Sequence, residues 1–172
     1  ADVGQGIAST QAMLIAEELD IDPATATLDP GQPHQAYFNG SVAAESTPFP
    51  AWDHGRVAET VRDLMITVSR LTGSQFTGGS SSTADLHETL RRAGATARET
   101  LKAAAAARTG VAIADLRTGD GHVILPDGMR IAYTDLAADA AQIDPVTDVA
   151  LRPATEWKRL GKPYRRLDIV AK

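Results

Sequence analysis

Two glycine-rich turns, each standing before a helix-forming stretch, are the segments best placed to do chemistry. The first is Gly4-Gln5-Gly6, ahead of a helix predicted over 9–20. The second is Thr77-Gly78-Gly79-Ser80-Ser81-Ser82, ahead of a helix predicted over 83–108. Glycine lets a backbone approach a ligand closely and permits positive φ. A helix N-terminus presents N–H groups without intrahelical partners and a partial positive charge. Together these suit phosphate or another anion, and the Ser and Thr hydroxyls add donors without charge. The plainer reading of either turn is a capped helix start. Neither turn carries the lysine of a P-loop, which speaks against a Mg-nucleotide hydrolase. The first reads Gly-x-Gly-x-x-Ser, a partial dinucleotide fingerprint with no acidic residue closing a second strand at the right distance.

Other residue types give less. The four histidines, His34, His54, His87 and His122, form no i,i+4 pair and have no carboxylate at metal-ligand spacing. Glu17 and Glu18 are adjacent on a helix, so they point in different directions, and a glycosidase-type pair is not supported. Glu88 and Glu99 near Arg91, Arg92, Lys102 and Arg108 read as a solvated helix face. Ser80 has no Gly-x-Ser-x-Gly elbow and no placed base. No catalytic residue and no metal ligand is assigned in this chain. The absence of Cys excludes thiol catalysis, disulfide scaffolds and Cys-ligated zinc or iron–sulfur centres here.

The elements that must position the two turns can be read from spacing. In helix 9–20, Ser9 and Thr10 are N-cap types, Ala12, Ile15, Ala16 and Leu19 recur helically, and Asp22-Pro23 ends it. Thr25-Ala26-Thr27-Leu28 is a short strand candidate. Residues 30–55, with Pro30, Pro33, Pro48 and Pro50, read as a long irregular connection of the kind that is often functional. Helix 56–71 gathers Val57, Val61, Leu64, Met65, Val68 and Leu71 on one face. The long helix has an expected inner stripe of Leu86, Leu90, Ala93, Ala97, Leu101 and Ala104. Gly94 beside it costs about 1 kcal/mol against Ala and implies close approach of a sheet or another backbone. Asp120-Gly121 and Asp127-Gly128 signal hairpins around His122–Leu125, with Met129–Tyr133 as the return strand. A helix over 134–142 with Thr134 as its cap precedes an extended tail. With 172 residues and 43% hydrophobic content, one packed domain with an arm is expected. The formal net charge of −5 argues against a nucleic-acid module or an anionic-membrane binder. No apolar run approaches the ~20 residues of a membrane-spanning helix.

The order and spacing of several segments resemble a known family. Val3-Gly-Gln-Gly6, Ala16-Glu-Glu-Leu19, Thr77-Gly-Gly-Ser-Ser-Ser82 and Leu90-Arg-Arg-Ala-Gly-Ala-Thr-Ala-Arg98 resemble the molybdopterin-binding large subunits of the xanthine dehydrogenase and aldehyde oxidase family of molybdenum hydroxylases, closest to the isoquinoline 1-oxidoreductase beta-subunit type. The tail agrees in Tyr133-Thr-Asp-Leu136, Ala140-Ala141, Leu160-Gly-Lys-Pro163, Arg166-Leu-Asp168 and Lys172. Residues 40–72 match least and read as an insertion.

The resemblance implies a molybdenum enzyme that hydroxylates an aldehyde or N-heterocycle with water-derived oxygen. It implies molybdopterin cytosine dinucleotide as cofactor and a separate [2Fe–2S] small subunit as electron outlet. It also implies cofactor-contacting roles for Gly4, Gln5, Gly6, Gly78, Gly79, Ser80, Ser81 and Ser82. Gln5 could then use its amide donor and acceptor on a pterin edge. Two departures stand out. Asp2-Val3 replaces the family's usual Glu-Met, and no Glu here has the setting of the family's catalytic base. The chain is therefore expected to be the N-terminal part of a large subunit, inactive alone, partnered by the remaining domains of that subunit. The expected fold is α+β: a two-layer α/β sandwich, a small mixed sheet covered by helices 9–20 and 83–108. Residues 1–145 would be the molybdopterin-binding-like domain and 146–172 an extended arm to a following domain. The alternative is a stand-alone anion- or nucleotide-binding or interaction module. The compartment, bacterial cytoplasm or periplasm, stays open.

Overall fold

Helically spaced Ala and Leu with glycine punctuation yield five helices among the described residues. In chain order they are α1 (Ile7–Leu19), α2 (Gly40–Glu45), α3 (Arg56–Thr72), α4 (Ser81–Thr109) and α5 (Tyr133–Ala140). A three-stranded meander, β1 (Arg117–Gly119), β2 (His122–Ile124) and β3 (Arg130–Ala132), lies between α4 and α5. The computed structural model describes residues 2–29, 31–32 and 34–167. Pro30 and Pro33 of the long connection, and Asp168 and Lys172 of the tail motif, lie outside the described residues.

The α+β class holds. The sheet, expected to be mixed, is antiparallel throughout, with Thr118 opposite Val123 and Val123 opposite Ile131. Its two connections are the tight turns at the Asp-Gly pairs, which join only antiparallel neighbours. The candidate strand at 25–28 does not form. Asp22 Oδ1 accepts from the Ala24 N–H, and Pro23–Thr25 closes instead into a 3-10 turn. The connection 30–55 carries the short helix α2 and a 3-10 turn at Gln35–Tyr37. The final helix starts at Tyr133, with Ala132 rather than Thr134 at its cap.

The apolar core is a cluster of Ala104, Ala105, Leu116, Val123, Leu125 and Leu136, where the end of α4 meets the sheet and α5. The two alanines let the sheet lie close against the helix. The tightest helix pair is α1 on α4. A Cβ added at Gly94 would stand 2.5 Å from the Ile15 carbonyl oxygen, so only glycine permits this approach.

That approach also corrects the expected inner face of α4. Ala93 is exposed, whereas Arg91, Gly94, Ala95 and Arg98 are buried. Over residues 91–98 the face turned inward is set by α1, while Leu101 and Ala104 of the expected stripe do pack at the core. The tail is not a regular extended segment. It makes a 3-10 turn at Ala154–Glu156 and runs back along α1 from its C-terminal end to its N-terminal end.

Candidate functional site

The two glycine turns open onto one cleft of about 450 Å³, formed where the N-termini of α1 and α4 come together. Gln5, Gly78, Gly79, Ser80 and Ser82 line it, joined by Val3, Ile7, Thr10, Thr77 and Thr83. Gly4, Gly6 and Ser81, the other three residues singled out from sequence, do not line it. Every polar group in the lining is uncharged, so the cleft offers hydroxyls, an amide and backbone rather than fixed cations.

The first turn is built by left-handed backbone at Gly4 (φ 100°) and Gly6 (φ 83°). Nothing lies within 4 Å of a Cβ added at Gly4; the turn requires its dihedral, not its small size. The helix begins at Ile7, earlier than Ser9 and Thr10 implied. Both therefore sit inside α1, where Ser9 Oγ accepts from the Leu167 N–H at 2.9 Å and Thr10 reaches the cleft.

The N–H groups at this end are partly taken. Asp2 accepts from the Gly4 N–H through Oδ1 at 2.8 Å and from the Ala8 N–H through Oδ2 at 3.0 Å. A carboxylate from the chain itself thus occupies the favourable anion position. The Gln5 side-chain carbonyl accepts from the Val3 N–H at 2.7 Å, so its acceptor serves the turn. Arg166 Nη1 donates to the Gly4 carbonyl at 2.7 Å, and its guanidinium lies against Gly6.

The second turn ends in Ser80 with φ 63° and no side-chain cap bond to α4. A non-glycine residue in this region costs roughly 1–2 kcal/mol. The surrounding structure holds it there. Thr77 Oγ1 and Ser82 Oγ share a hydrogen bond at 2.8 Å across the turn. The side chain of Asn39, almost fully buried, donates to the Phe76 carbonyl and to Ser81 Oγ and accepts from the Val42 N–H, while its backbone carbonyl accepts from Ser69 Oγ. Ser81 is thus a buried anchor for the turn. Sequence reading missed Asn39. Its only local signal is an N-cap type before α2, while its contacts to the turn span 37 and 42 residues. The Glu45 carboxylate lies 3.6 Å from the position of a Gly79 Cβ, so the second turn has an acidic neighbour.

At the opposite end of α1 stands a buried acidic node, where the sequence suggests only an ordinary adjacent helix pair. Glu17 and Glu18 are each 0% exposed. Glu17 accepts the backbone N–H groups of Lys158, Arg159 and Leu160 at 2.7–2.9 Å. Burial opposes its charge, and these three N–H donors overcome that, holding its carboxyl below the usual range. Glu18 takes Arg91 through Nε and Nη2 at 2.9 and 2.6 Å, and Arg98 Nη1 at 3.3 Å. Arg91 is therefore a buried ion-pair partner, not a member of a solvated face, and Arg98 is buried beside it. Arg92–Glu88 and Arg108–Asp139 do remain surface pairs. Asp20, in left-handed backbone, binds Arg152, Lys158 and Thr118. Burial raises its pKa, but these partners win and bring it down to about 2.

Every carboxylate oxygen of this node has a donor, so it positions the tail and α4. The histidines are scattered: His34 caps a 3-10 turn, His54 pairs with Glu59, His87 stands edge-on to Trp157, and His122 meets the Asp120 carbonyl. Among the described residues no three His, Asp or Glu side chains could hold a metal ion. No described helix is long and apolar enough to cross a membrane.

Over 172 residues the chain is 26% identical to a nicotinate dehydrogenase subunit of Pseudomonas putida. The match takes in 99% of this chain but 12% of the relative, so the chain spans about an eighth of that protein's length. No protein-family model and no solved structure matches the chain.

Proposed function

We propose that this chain supplies cofactor-contacting turns to the large subunit of a molybdopterin-dependent oxidoreductase that hydroxylates an aldehyde or N-heterocycle. The observation that carries the reading is the convergence of both glycine turns on one uncharged polar cleft. Similarity to a dehydrogenase subunit over nearly the whole chain supports the broad family.

The lining fits part of such a group. About 450 Å³ is within the range of a small-ligand pocket, but it is shallow for a pterin dinucleotide, which needs a second wall. When bound, molybdopterin cytosine dinucleotide would supply the redox centre at which water-derived oxygen is transferred. This chain's part is to bind and orient. Gly79 and Ser80 would present backbone to the cofactor's polar groups, while Gly78, whose N–H and carbonyl both bond Ser81, shapes the turn. Thr77, Ser80, Ser82 and Thr83 bring hydroxyls to the same wall, and Gln5 faces them across the cleft. Asp2 occupies the first helix start beside Arg166, and Glu45 stands beside the second turn. The remaining large-subunit domains, reached through the arm 146–172, would enclose the group, and a [2Fe–2S] small subunit would take the electrons.

The test is an immunoblot of the native source with an antibody to this chain, followed by metal analysis of the captured polypeptide. A polypeptide several times larger than this chain that carries molybdenum is the expected result. A free-standing polypeptide of this chain's own size without molybdenum would overturn the proposal in favour of a stand-alone anion- or nucleotide-binding or interaction module.

A further inference from the structure

The arm comes back to the first glycine turn. It is tied along α1 at successive points. The Glu17 carboxylate accepts the N–H groups of Lys158, Arg159 and Leu160, the Tyr164 hydroxyl donates to Asp22 Oδ1 at 2.8 Å, and the Leu167 N–H donates to Ser9 Oγ at 2.9 Å. Arg166, beside the last of these ties, reaches Gly4 across 162 residues of chain.

The turn needs such a partner. Gly4 and Gly6 stand at φ 100° and 83°, and glycine has more backbone freedom to lose than any other residue. A Cβ at Gly4 would meet open space, and Val3 is 77% exposed, so packing gives the turn little support. The Asp2 and Gln5 bonds tie the segment to itself. Arg166 ties it to the rest of the fold. Its Nη1 donates to the Gly4 carbonyl at 2.7 Å, and its Nε, Cδ and Cζ lie 3.2–3.4 Å from where a Gly6 Cβ would stand. One guanidinium thus touches both glycines. Arg166 itself does not line the cleft, whereas Val3, Gln5 and Ile7 of the turn segment do.

We propose that Arg166 is a positioning residue. It fixes Gly4-Gln5-Gly6 in the shape that presents Val3, Gln5 and Ile7 to the cleft, so the arm is part of the scaffold of the site. The consequence for cofactor binding rests on the function proposed above; the effect on the turn does not.

The test uses the native protein containing this chain, as Arg166→Met, Lys162→Met and Gly79→Val variants. Lys162 is an exposed cation on the same arm, so its variant controls for lost charge. Amide hydrogen exchange at Val3, Gly4 and Ala8 should run about three- to tenfold faster in Arg166→Met, the worth of one net hydrogen bond. Exchange in α4 should not change, and Lys162→Met should match the parent. Molybdenum per polypeptide should fall at least about threefold in Arg166→Met, by the same bond. Unchanged exchange at the turn, equal acceleration in α4, or equal acceleration by Lys162→Met would each overturn the proposal whatever the molybdenum content. Faster exchange with full molybdenum, beside a Gly79→Val protein that has lost it, would overturn the positioning role alone. Full molybdenum in Gly79→Val as well would overturn the cofactor reading, and the positioning role with it.

Discussion

Replacing Glu18 by Gln removes one negative charge from a site where two buried guanidinium groups depend on it. Arg91 reaches the single oxygen Oε1 through two donors at 2.9 and 2.6 Å, Arg98 reaches Oε2 at 3.3 Å, and the Arg152 N–H shares both oxygens at 3.2 and 3.3 Å; the amide keeps one of these two acceptors and turns its NH2 toward a guanidinium in place of the other. Breaking a buried pair from one side costs about 3–5 kcal/mol, because the remaining charge is left uncompensated. Here both arginines keep other acceptors. Arg91 still reaches the Arg152 carbonyl, and Arg98 still reaches Glu99 and the Glu18 carbonyl. The lower end, about 3 kcal/mol, is therefore expected. For a chain this long that is a drop of about 6–12 °C in Tm. Urea unfolding followed by far-UV circular dichroism, with the m-value checked for constancy, reads it directly. A companion variant, Glu18→Leu with Arg91→Met, removes charge from both sides and should recover part of the loss. A loss below about 1 kcal/mol for Glu18→Gln, the range of an exposed pair, would refute the view that this carboxylate ties α1, α4 and the tail together.

Two further outcomes follow from the same packing. Asp20 has its pKa lowered to about 2 from an ordinary 3.8. Its contribution is therefore fully present above about pH 4 and is lost as pH falls through about 2. At 1.36 kcal/mol per unit it amounts to about 2 kcal/mol. The urea midpoint of Asp20→Asn should converge on that of the parent chain between pH 4 and 2, and a constant difference across that window would contradict the assignment. Gly94→Ala should destabilise by about 1–3 kcal/mol through overpacking against the Ile15 carbonyl, although helix propensity alone favours Ala by ~1 kcal/mol. A stabilised Gly94→Ala in thermal unfolding would show that α1 and α4 do not approach as described.

Residues whose neighbours are local were legible in the sequence. Helices α1, α3 and α4 follow from apolar spacing and glycine stops, and the meander follows from Asp120-Gly121 and Asp127-Gly128. Both glycine turns were found for the right local reason, yet nothing local could say that they share a cleft. What sequence reading missed is set by partners far away in the chain. Arg91 and Arg98 look like surface residues until Glu18, 73 and 80 residues distant, is brought against them through the gap left by Gly94. A signal was present: two arginines seven apart, bracketing a helix glycine, with an adjacent glutamate pair on another helix. The strand misread at 25–28 has a local cause, since Asp22 captures the next turn's N–H before extended pairing can form. For α3 the amphipathic period was legible, but not that Val57, Leu64 and Leu71 of its apolar side would be exposed.

The claim most in need of trial is that the two glycine turns seat part of a pterin cofactor. Molybdenum per polypeptide should be measured in the native protein containing this chain and in its Gly79→Val variant, where a branched side chain would enter the cleft lining at a left-handed φ of 53°. The account predicts that molybdenum falls at least about tenfold, a loss of about 1.4 kcal/mol in cofactor binding, while circular dichroism shows a folded protein. Undiminished molybdenum in a folded Gly79→Val protein would contradict it.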